Sequence, residues 1–428
     1  MLGSHAQTIA SVMPHFQIRP VLSLLVALCM VALVGCQAAT RPERMPRPPL
    51  LILVSIDGFR ADYFDLGLTP TLATLADEGA RVTSLRPSFP SLTFPNHYTL
   101  VTGLVPDRHG IVHNTMRDPE SSQRFTLANR EAVENAFWWN DAQPIWNTAR
   151  QAGLRSATMF WPGSEAPVRG HHPHYWHTFD AGMTPEARVA QVLAWLDLPA
   201  DQRPDFTTLY FDSVDHAGHV TGPDSPEAHA QIARIDAALA ELVSGLKRRA
   251  LWDETNLLVL SDHGMAATPR ERAIALDDYI PRELFELVAR GSIAGLRAAE
   301  GREAELETAM SQPIPHIQCW RKEEIPARFR YGSHRRVPPW VCMGDEGWTI
   351  FDRAHLTRFG VNPGAHGFDP ALDSMAALFV AHGPDFVPGA VLEELDNVDV
   401  YPLLARLLRI VPEPHDGDAG RIEPLLRR

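Results

Sequence analysis

Three apolar runs of this chain each stop at, or within four residues of, an aspartate. The run Leu50–Ile56 ends at Asp57, Phe206–Phe211 is followed by Asp215, and residues 257–261 lead straight into Asp262. Runs of this length and composition read as strands buried on both faces, the signature of a parallel sheet. Residues 156–160 and 376–380 read the same way. Helical patterns lie between them. Residues 69–78 open with Thr-Pro, a cap followed by proline at the first helical position. Residues 187–196 and 226–246 space their apolar side chains by three and four. Residues 398–408 read as a closing helix. Strands alternating with helices predict a three-layer α/β/α fold with a mostly parallel central sheet. Such sheets bind ligands at the carboxyl ends of their strands. Asp57, Asp215 and Asp262, far apart in sequence, therefore converge on one edge.

Residues 281–349 break the alternation. An Arg/Glu-rich stretch at 296–310 reads as helical, and Trp320, Arg330-Tyr331, His334-Arg335-Arg336 and Pro338-Pro339-Trp340 follow. This segment reads as a smaller α+β subdomain inserted into a catalytic domain spanning 50–410. Residues 411–428 form a C-terminal tail.

The aspartates have histidine company. Asp215-His216-Ala217-Gly218-His219 puts Asp215 and His219 four apart, on one face of a single helical turn. Asp262 and His263 are adjacent, and His366 sits in Gly364-Ala365-His366-Gly367. Mixed carboxylate and imidazole donors suit zinc, whereas magnesium and calcium prefer all-oxygen shells. Two such ions, about 3.5–4 Å apart, would clamp the attacking and leaving oxygens of an in-line displacement. The chemistry expected is phosphate-ester hydrolysis. Thr93, between Pro90 and Pro95, offers a hydroxyl nucleophile whose pKa a metal would lower. Residues 94–104 read as a helix start, with backbone N–H groups facing phosphoryl oxygens. Any one of these residues has a plainer use: an aspartate at a strand end is usually a cap or turn former. Their recurrence after successive strands carries the reading. His113, His171, His172 and His174 have no spaced carboxylate partner and read as surface residues; His97 and His109 read as structural.

A formal charge of −13 argues against binding the backbone of duplex nucleic acid. It leaves small anionic substrates open, because metal ions supply local positive charge. Nothing in the sequence sets an oligomeric state.

At the N-terminus, Arg19 precedes an apolar run from Val21 to Val34, closed by Gly35-Cys36. The run is shorter than the ~20 residues of a spanning helix. Residues 1–36 resemble a bacterial lipoprotein signal ending at Cys36, the lipidated residue; a simply cleaved signal or a short anchor are the alternatives. The expected location is periplasmic, with membrane contact only through a lipid anchor at Cys36. The Pro/Arg-rich residues 37–49 read as a semi-rigid tether. Of four cysteines, Cys29 and Cys36 belong to the signal. Cys319 and Cys342 remain, an even pair that in an exported protein suggests one disulfide, with two free thiols as the alternative.

Seven motifs together resemble one family. They are Asp57-Gly58-Phe59-Arg60, the 89–97 segment around Thr93, Gly110-Ile111-Val112-His113-Asn114, Phe160-Trp161-Pro162-Gly163-Ser164, Asp215 to Pro223, Ser261-Asp262-His263-Gly264-Met265 and Gly364 to Asp369. The chain is similar to nucleotide pyrophosphatase/phosphodiesterases of the alkaline phosphatase superfamily over roughly residues 50–408. The resemblance implies two zinc ions, one held by Asp57, Thr93, Asp262 and His263, the other by Asp215, His219 and His366. It implies that Thr93 attacks a diester to give a nucleotidyl-threonine and that Asn114 donates to a non-bridging phosphate oxygen. It implies that Phe94 and Phe179, with Tyr210 nearby, bind the base of a small nucleotide substrate; core packing is the plainer use of these rings. Val214 stands where many members have Pro, and Phe368 where many have Tyr. The alternatives on the same scaffold are a lipid or choline-ester phosphodiesterase and a phosphate monoesterase. A metal-free envelope protein is the alternative from another class. The segment 163–178, present here as in nucleotide-hydrolysing relatives, favours nucleotides over lipids.

Overall fold

A computed structural model describes residues 47–427. The expected signal, Cys36 and most of the tether lie outside the described residues. No helix among them is long and apolar enough to cross a membrane.

Strand β1 (Leu50–Ile56) shows how the layers arise. Its side chains alternate between faces. Leu51 and Leu53 enter one core cluster, and Ile52, Val54 and Ile56 enter another. A strand buried on both sides must be central, and this one pairs in parallel with two neighbours. The main sheet contains β1, β2 (Ala80–Arg86), β3 (Ser156–Met159), β4 (Tyr175–Trp176), β5 (Phe206–Phe211) and β6 (Thr255–Leu260). The strands β7 to β10 belong to a second sheet: Phe285–Ala289, Ile293–Ala298, Ile317–Arg321 and Trp340–Gly344. Two late strands, β11 (Ala377–His382) and β12 (Ala390–Asp396), return to the main sheet. Its eight strands run in the order β12-β2-β11-β6-β1-β5-β3-β4.

The sheet is mostly parallel, as the alternation requires. The run at 376–380, expected to be parallel like the others, is the exception: β11 is antiparallel to both β6 and β2. Its apolar composition reports burial on two faces, which a central strand of either direction satisfies.

The helices that cover the sheet include α1 (Pro70–Glu78), α2 (Thr93–Thr102), α3 (Pro185–Leu196), α4 (Ser213–Thr221), α5 (Pro226–Arg248) and α7 (Val400–Leu407), whereas α6 (Arg353–Phe359) buries none of its residues. Helix α5 is typical. The Ser225 hydroxyl accepts from the Ala228 N–H at 3.1 Å and caps it, and Pro226 opens the first turn. Its Ile232, Ile235, Leu239, Leu242 and Leu246 face the sheet in one cluster with α1 and α3. Helices α2 and α7 pack on the opposite face.

The second sheet is antiparallel, in the order β7-β8-β10-β9. Residues 296–298, expected to be helical, end strand β8; the helix of this region is Glu303–Met310. Cys319 and Cys342 sit directly opposite each other on β9 and β10 and form a disulfide.

Candidate active site

The carboxyl ends of the central strands bring the chemistry together. Asp57 follows β1 directly. Gly58 then adopts φ +68°, and a Cβ there would meet the Asp215 Cα at 2.9 Å, so the turn is open only to glycine. The Asp215 N–H donates to the Asp57 carbonyl oxygen at 3.0 Å. This close approach joins the end of β1 to the start of α4, which carries Asp215 and His219 on one face. Asp262 and His263 follow β6, and Gly58 N–H donates to Asp262 Oδ1 at 3.3 Å.

The ligand-type residues form two groups, Asp57 with Asp262 and His263, and Asp215 with His219 and His366. Within each, one donor atom per residue lies within 4.8 Å of the others, so each group could hold a cation. The three histidines are prepared alike. His219 Nδ1 donates to the Gly364 carbonyl at 2.7 Å, His366 Nδ1 to that of Ser91 at 2.9 Å, and His263 Nδ1 to that of Gly264 at 2.9 Å. Each carbonyl fixes the tautomer and leaves Nε2 for the site. The Nε2 atoms of His219 and His366 both stand 3.5 Å from Asp215 Oδ1. His263 Nε2 stands 2.9 Å from Asp262 Oδ2 and 3.6 Å from Asp57 Oδ1.

The electrostatics call for positive charge. Asp57 Oδ1 and Asp215 Oδ1 are buried and accept no hydrogen bond, a costly state for a carboxylate. Burial, then the charges of Asp262 and Asp215, push the Asp57 carboxyl well above its usual range. Burial opposes ionisation of Asp262, but His263 and His97 outweigh it and hold that carboxyl well below its usual range. Burial, then the neighbouring His263 and His219, hold His366 well below the ordinary imidazole value, leaving it neutral. A neutral imidazole is the form that binds metal. Orphaned carboxylate oxygens beside pre-oriented imidazoles fit two borderline divalent cations such as zinc.

Thr93 begins α2, and its Oγ1 lies 3.3 Å from His263 Nε2. The hydroxyl therefore stands at the first ligand group. The Phe94 N–H, however, does not face open space. It donates to Asn114 Oδ1 at 2.9 Å, so the helix start is partly used to orient an amide.

His97 is more than a packing residue. It sits one turn after Thr93, fully buried, with Nδ1 2.9 Å from the Thr93 carbonyl oxygen and 3.2 Å from Asp262 Oδ2. Its Nε2 faces the Ser55 hydroxyl at 2.9 Å. The ring ties nucleophile, ligand and β1 together. The four-residue spacing from Thr93 was the signal that could have revealed it. Of the other histidines, His113, His172 and His174 are partly buried and His171 is exposed.

Thr93, Asp57 and Asp215 open into a pocket of about 870 Å³ that Phe94, Phe179 and Tyr210 also line. Tyr210 forms its base, donating from Oη to Asp57 Oδ2 at 2.6 Å. Phe179 leans on Phe160 at 5.2 Å and is held by its N–H, which donates to Glu165 Oε1 at 2.9 Å. Glu165, almost buried, also pairs with Arg130. Neither Glu165 nor Arg130 was suspected from sequence, because both act through a loop contact that spacing does not encode. Val214 and Phe368 are buried, and neither displaces its neighbouring ligand residue.

A family profile described as type I phosphodiesterase / nucleotide pyrophosphatase matches residues 51–369. The chain belongs to this family of hydrolases. It is 36% identical over 389 residues to an uncharacterized pyrophosphatase/phosphodiesterase of Schizosaccharomyces pombe, covering 88% of this chain and 80% of that one. It is 35% identical over 381 residues to the human bis(5'-adenosyl)-triphosphatase ENPP4, covering 89% and 82%. Among solved structures, human ectonucleotide pyrophosphatase/phosphodiesterase 5 superposes with TM-score 0.85 at 35% identity, covering 89% of this chain and all of that one. An inactive threonine-to-alanine variant of the murine protein, in complex with AMP, superposes with TM-score 0.84 at 35% identity, over 89% of this chain and all of that one. The alkaline-phosphatase-like α/β fold expected from the sequence is the one observed.

Proposed function

We propose that this phosphodiesterase-family hydrolase is a dinuclear zinc enzyme that cleaves nucleotide phosphodiester and pyrophosphate bonds, converting nucleoside triphosphates to monophosphates and pyrophosphate. The observation that carries the metal reading is the shared anchoring of His219, His263 and His366 through Nδ1 to backbone carbonyls. Asp57, Asp262, His263 and Thr93 would hold one ion, and Asp215, His219 and His366 the other. When bound, zinc would lower the pKa of a hydroxyl ligand and offset charge on the phosphoryl oxygens.

The residues then divide the work. Thr93 Oγ attacks the α-phosphorus as its proton leaves to solvent, and pyrophosphate departs with the bridging oxygen. The product is a nucleotidyl-threonine. Water attacks the same phosphorus, releases the monophosphate and regenerates the Thr93 hydroxyl. Asn114, its oxygen already engaged by Phe94, presents N–H groups to a non-bridging oxygen. A neutral amide suits a singly charged diester better than a dianionic monoester, where a guanidinium would serve. Phe94 and Phe179 enclose the base. The AMP complex of the murine relative supports a nucleotide as the ligand. We further propose export and lipid anchoring at Cys36, supported by the N-terminal apolar run; metabolic labelling with a radioactive fatty acid, lost in Cys36→Ala, tests it.

The deciding experiment incubates zinc-loaded protein with ATP and identifies the products. AMP and pyrophosphate support the proposal. ADP and phosphate move the assignment to a monoesterase. An intact ATP pool beside cleaved lysophospholipid would make the protein a lipid phosphodiesterase.

A further inference from the structure

His113 precedes Asn114 and takes no part in the reaction above. Read from the sequence as a surface residue, it is instead turned inward. Its Nε2 is buried and points toward the main chain of Ile293, the first residue of β8 in the inserted subdomain. Its Nδ1 accepts from the Thr115 N–H at 2.9 Å.

The bond to Thr115 closes a ring around Asn114. A side-chain acceptor that takes the N–H two residues further on makes a local turn, the one that Asn and Asp side chains favour. The residue enclosed by that turn is Asn114, so its backbone is held from both flanks. On one flank, Thr115 opens the strand Thr115–Arg117, which pairs antiparallel with Arg124–Thr126. On the other, Ile111 and Val112 are fully buried, and the Val112 carbonyl accepts from the hydroxyl of Tyr331 in the inserted subdomain at 3.0 Å.

The turn needs a neutral imidazole that keeps its proton on Nε2 and a lone pair on Nδ1. Burial, aided by the Arg124 charge and opposed by the Ile293 carbonyl, pushes the His113 pKa from 6.5 down to about 4. At neutral pH the acceptor is therefore intact.

The Phe94 N–H decides which end of the Asn114 amide is free, but a single hydrogen bond leaves the side chain able to swing about it. Where the amide stands depends on where its Cα is held. That matters for a donor to a reacting phosphate, since a misplacement of about 1 Å costs up to roughly 10²-fold in rate. We propose that His113 is a positioning residue for Asn114, its imidazole closing the turn that fixes the Asn114 backbone and seating that turn against the inserted subdomain. This rests on the role given to Asn114 above and adds to it a residue that never touches the substrate.

The test measures kcat and KM of the zinc-loaded protein on the p-nitrophenyl ester of AMP, with His113 changed alone and together with Asn114→Ala. His113→Asn puts an acceptor oxygen on the same side-chain carbon that carries Nδ1, and should keep kcat/KM within about threefold of the wild type. His113→Leu fills the space without an acceptor and should lower kcat/KM by about ten- to hundredfold, mostly in kcat, because the contact it misplaces is made in the transition state. In the Asn114→Ala background the same change should cost less than about twofold, because no amide is left to position. Thermal unfolding of each variant checks the fold; if His113→Leu does not fold, His113→Ala removes the acceptor without adding bulk and takes its place. A loss of the same size with and without Asn114 would make His113 a general structural residue and overturn the proposal. So would wild-type rates in His113→Leu, or His113→Asn as slow as His113→Leu. Failure of the Asn114 reading looks different: Asn114→Ala alone would turn over at the wild-type rate, and the positioning role would fall with it.

Discussion

The Phe94 N–H donates to Asn114 Oδ1 at 2.9 Å, which leaves the NH2 end of the amide as the one the proposed function assigns to substrate. The side chain is thus a pre-aimed donor. Asn114→Ala should lower kcat/KM on a nucleotide diester by about 10²–10³, the cost of one oxyanion donor. Asn114→Asp keeps the acceptor for Phe94 but replaces the donor with negative charge, and should be at least as slow. Rates equal to wild type in Asn114→Ala would remove this residue from the chemistry.

The Tyr210 hydroxyl donates to Asp57 Oδ2 at 2.6 Å and leaves Oδ1 unpartnered. On the proposed zinc reading, it selects which oxygen the cation takes. Tyr210→Phe keeps the ring against His97 and Phe179 and deletes only that donor. The expected result is a ten- to hundredfold weaker zinc affinity, on the order of losses from outer-shell partners. Competition with a chelator measures it. An unchanged affinity would confine Tyr210 to the pocket base.

Thr93 Oγ1 lies 3.3 Å from His263 Nε2, but six of the seven ligand-type residues do not depend on it. Thr93→Ala should therefore abolish turnover and still bind zinc. Metal analysis beside an activity assay separates the two effects. Retained turnover would mean that water, and not Thr93, attacks the substrate.

How far the sequence reveals this structure follows from what each residue must satisfy. The runs Leu50–Ile56 and Phe206–Phe211 are legible to the residue, because strands buried on both faces are built almost wholly of apolar and β-branched side chains, with Ser55, Thr207 and Thr208 the small buried polar exceptions. Strands Ala80–Arg86 and Ala390–Asp396 were not foreseen. The first carries two arginines and the second three acidic residues, since each has a partly exposed face. Direction is not encoded in composition, hence the antiparallel β11. At the site, Asp57, Asp215 and Asp262 could be placed on one edge from strand order alone. Their histidine partners could be grouped with them, but not the carbonyls of Ser91, Gly264 and Gly364 that aim those rings. Backbone acceptors have no sequence signature. Glu165 was hidden for a related reason: it grips Phe179 through a main-chain N–H fourteen residues away.

Phe179 meets Phe160 edge-on, and Arg188 lies 5.8 Å from its centroid on one side. It also lines the pocket beside Phe94. Phe179→Ala should lower kcat/KM for a nucleotide about tenfold more than for bis-p-nitrophenyl phosphate, which has no base to stack. Equal losses on both would assign Phe179 to packing alone.

His109 gives the fold a pH dependence independent of the ligand residues. It is fully buried; its Nδ1 accepts from the Ile111 N–H at 3.2 Å, and its Nε2 faces Thr99 Oγ1 at 3.0 Å. Burial, then the nearby His334, push its pKa down from 6.5 to about 3. The folded state therefore holds the ring neutral while the unfolded chain takes up a proton. The stability this preserves is complete above about pH 6.5 and is lost as the pH falls toward about 3. Between pH 7 and pH 5 the loss should be about 2 kcal/mol. His109→Gln keeps a polar side chain without a titrating group. Urea unfolding of both proteins at the two pH values should show the wild type losing about 2 kcal/mol more than the variant. Equal losses would mean that the ring is charged in the folded state, with another neighbour supplying its counter-charge.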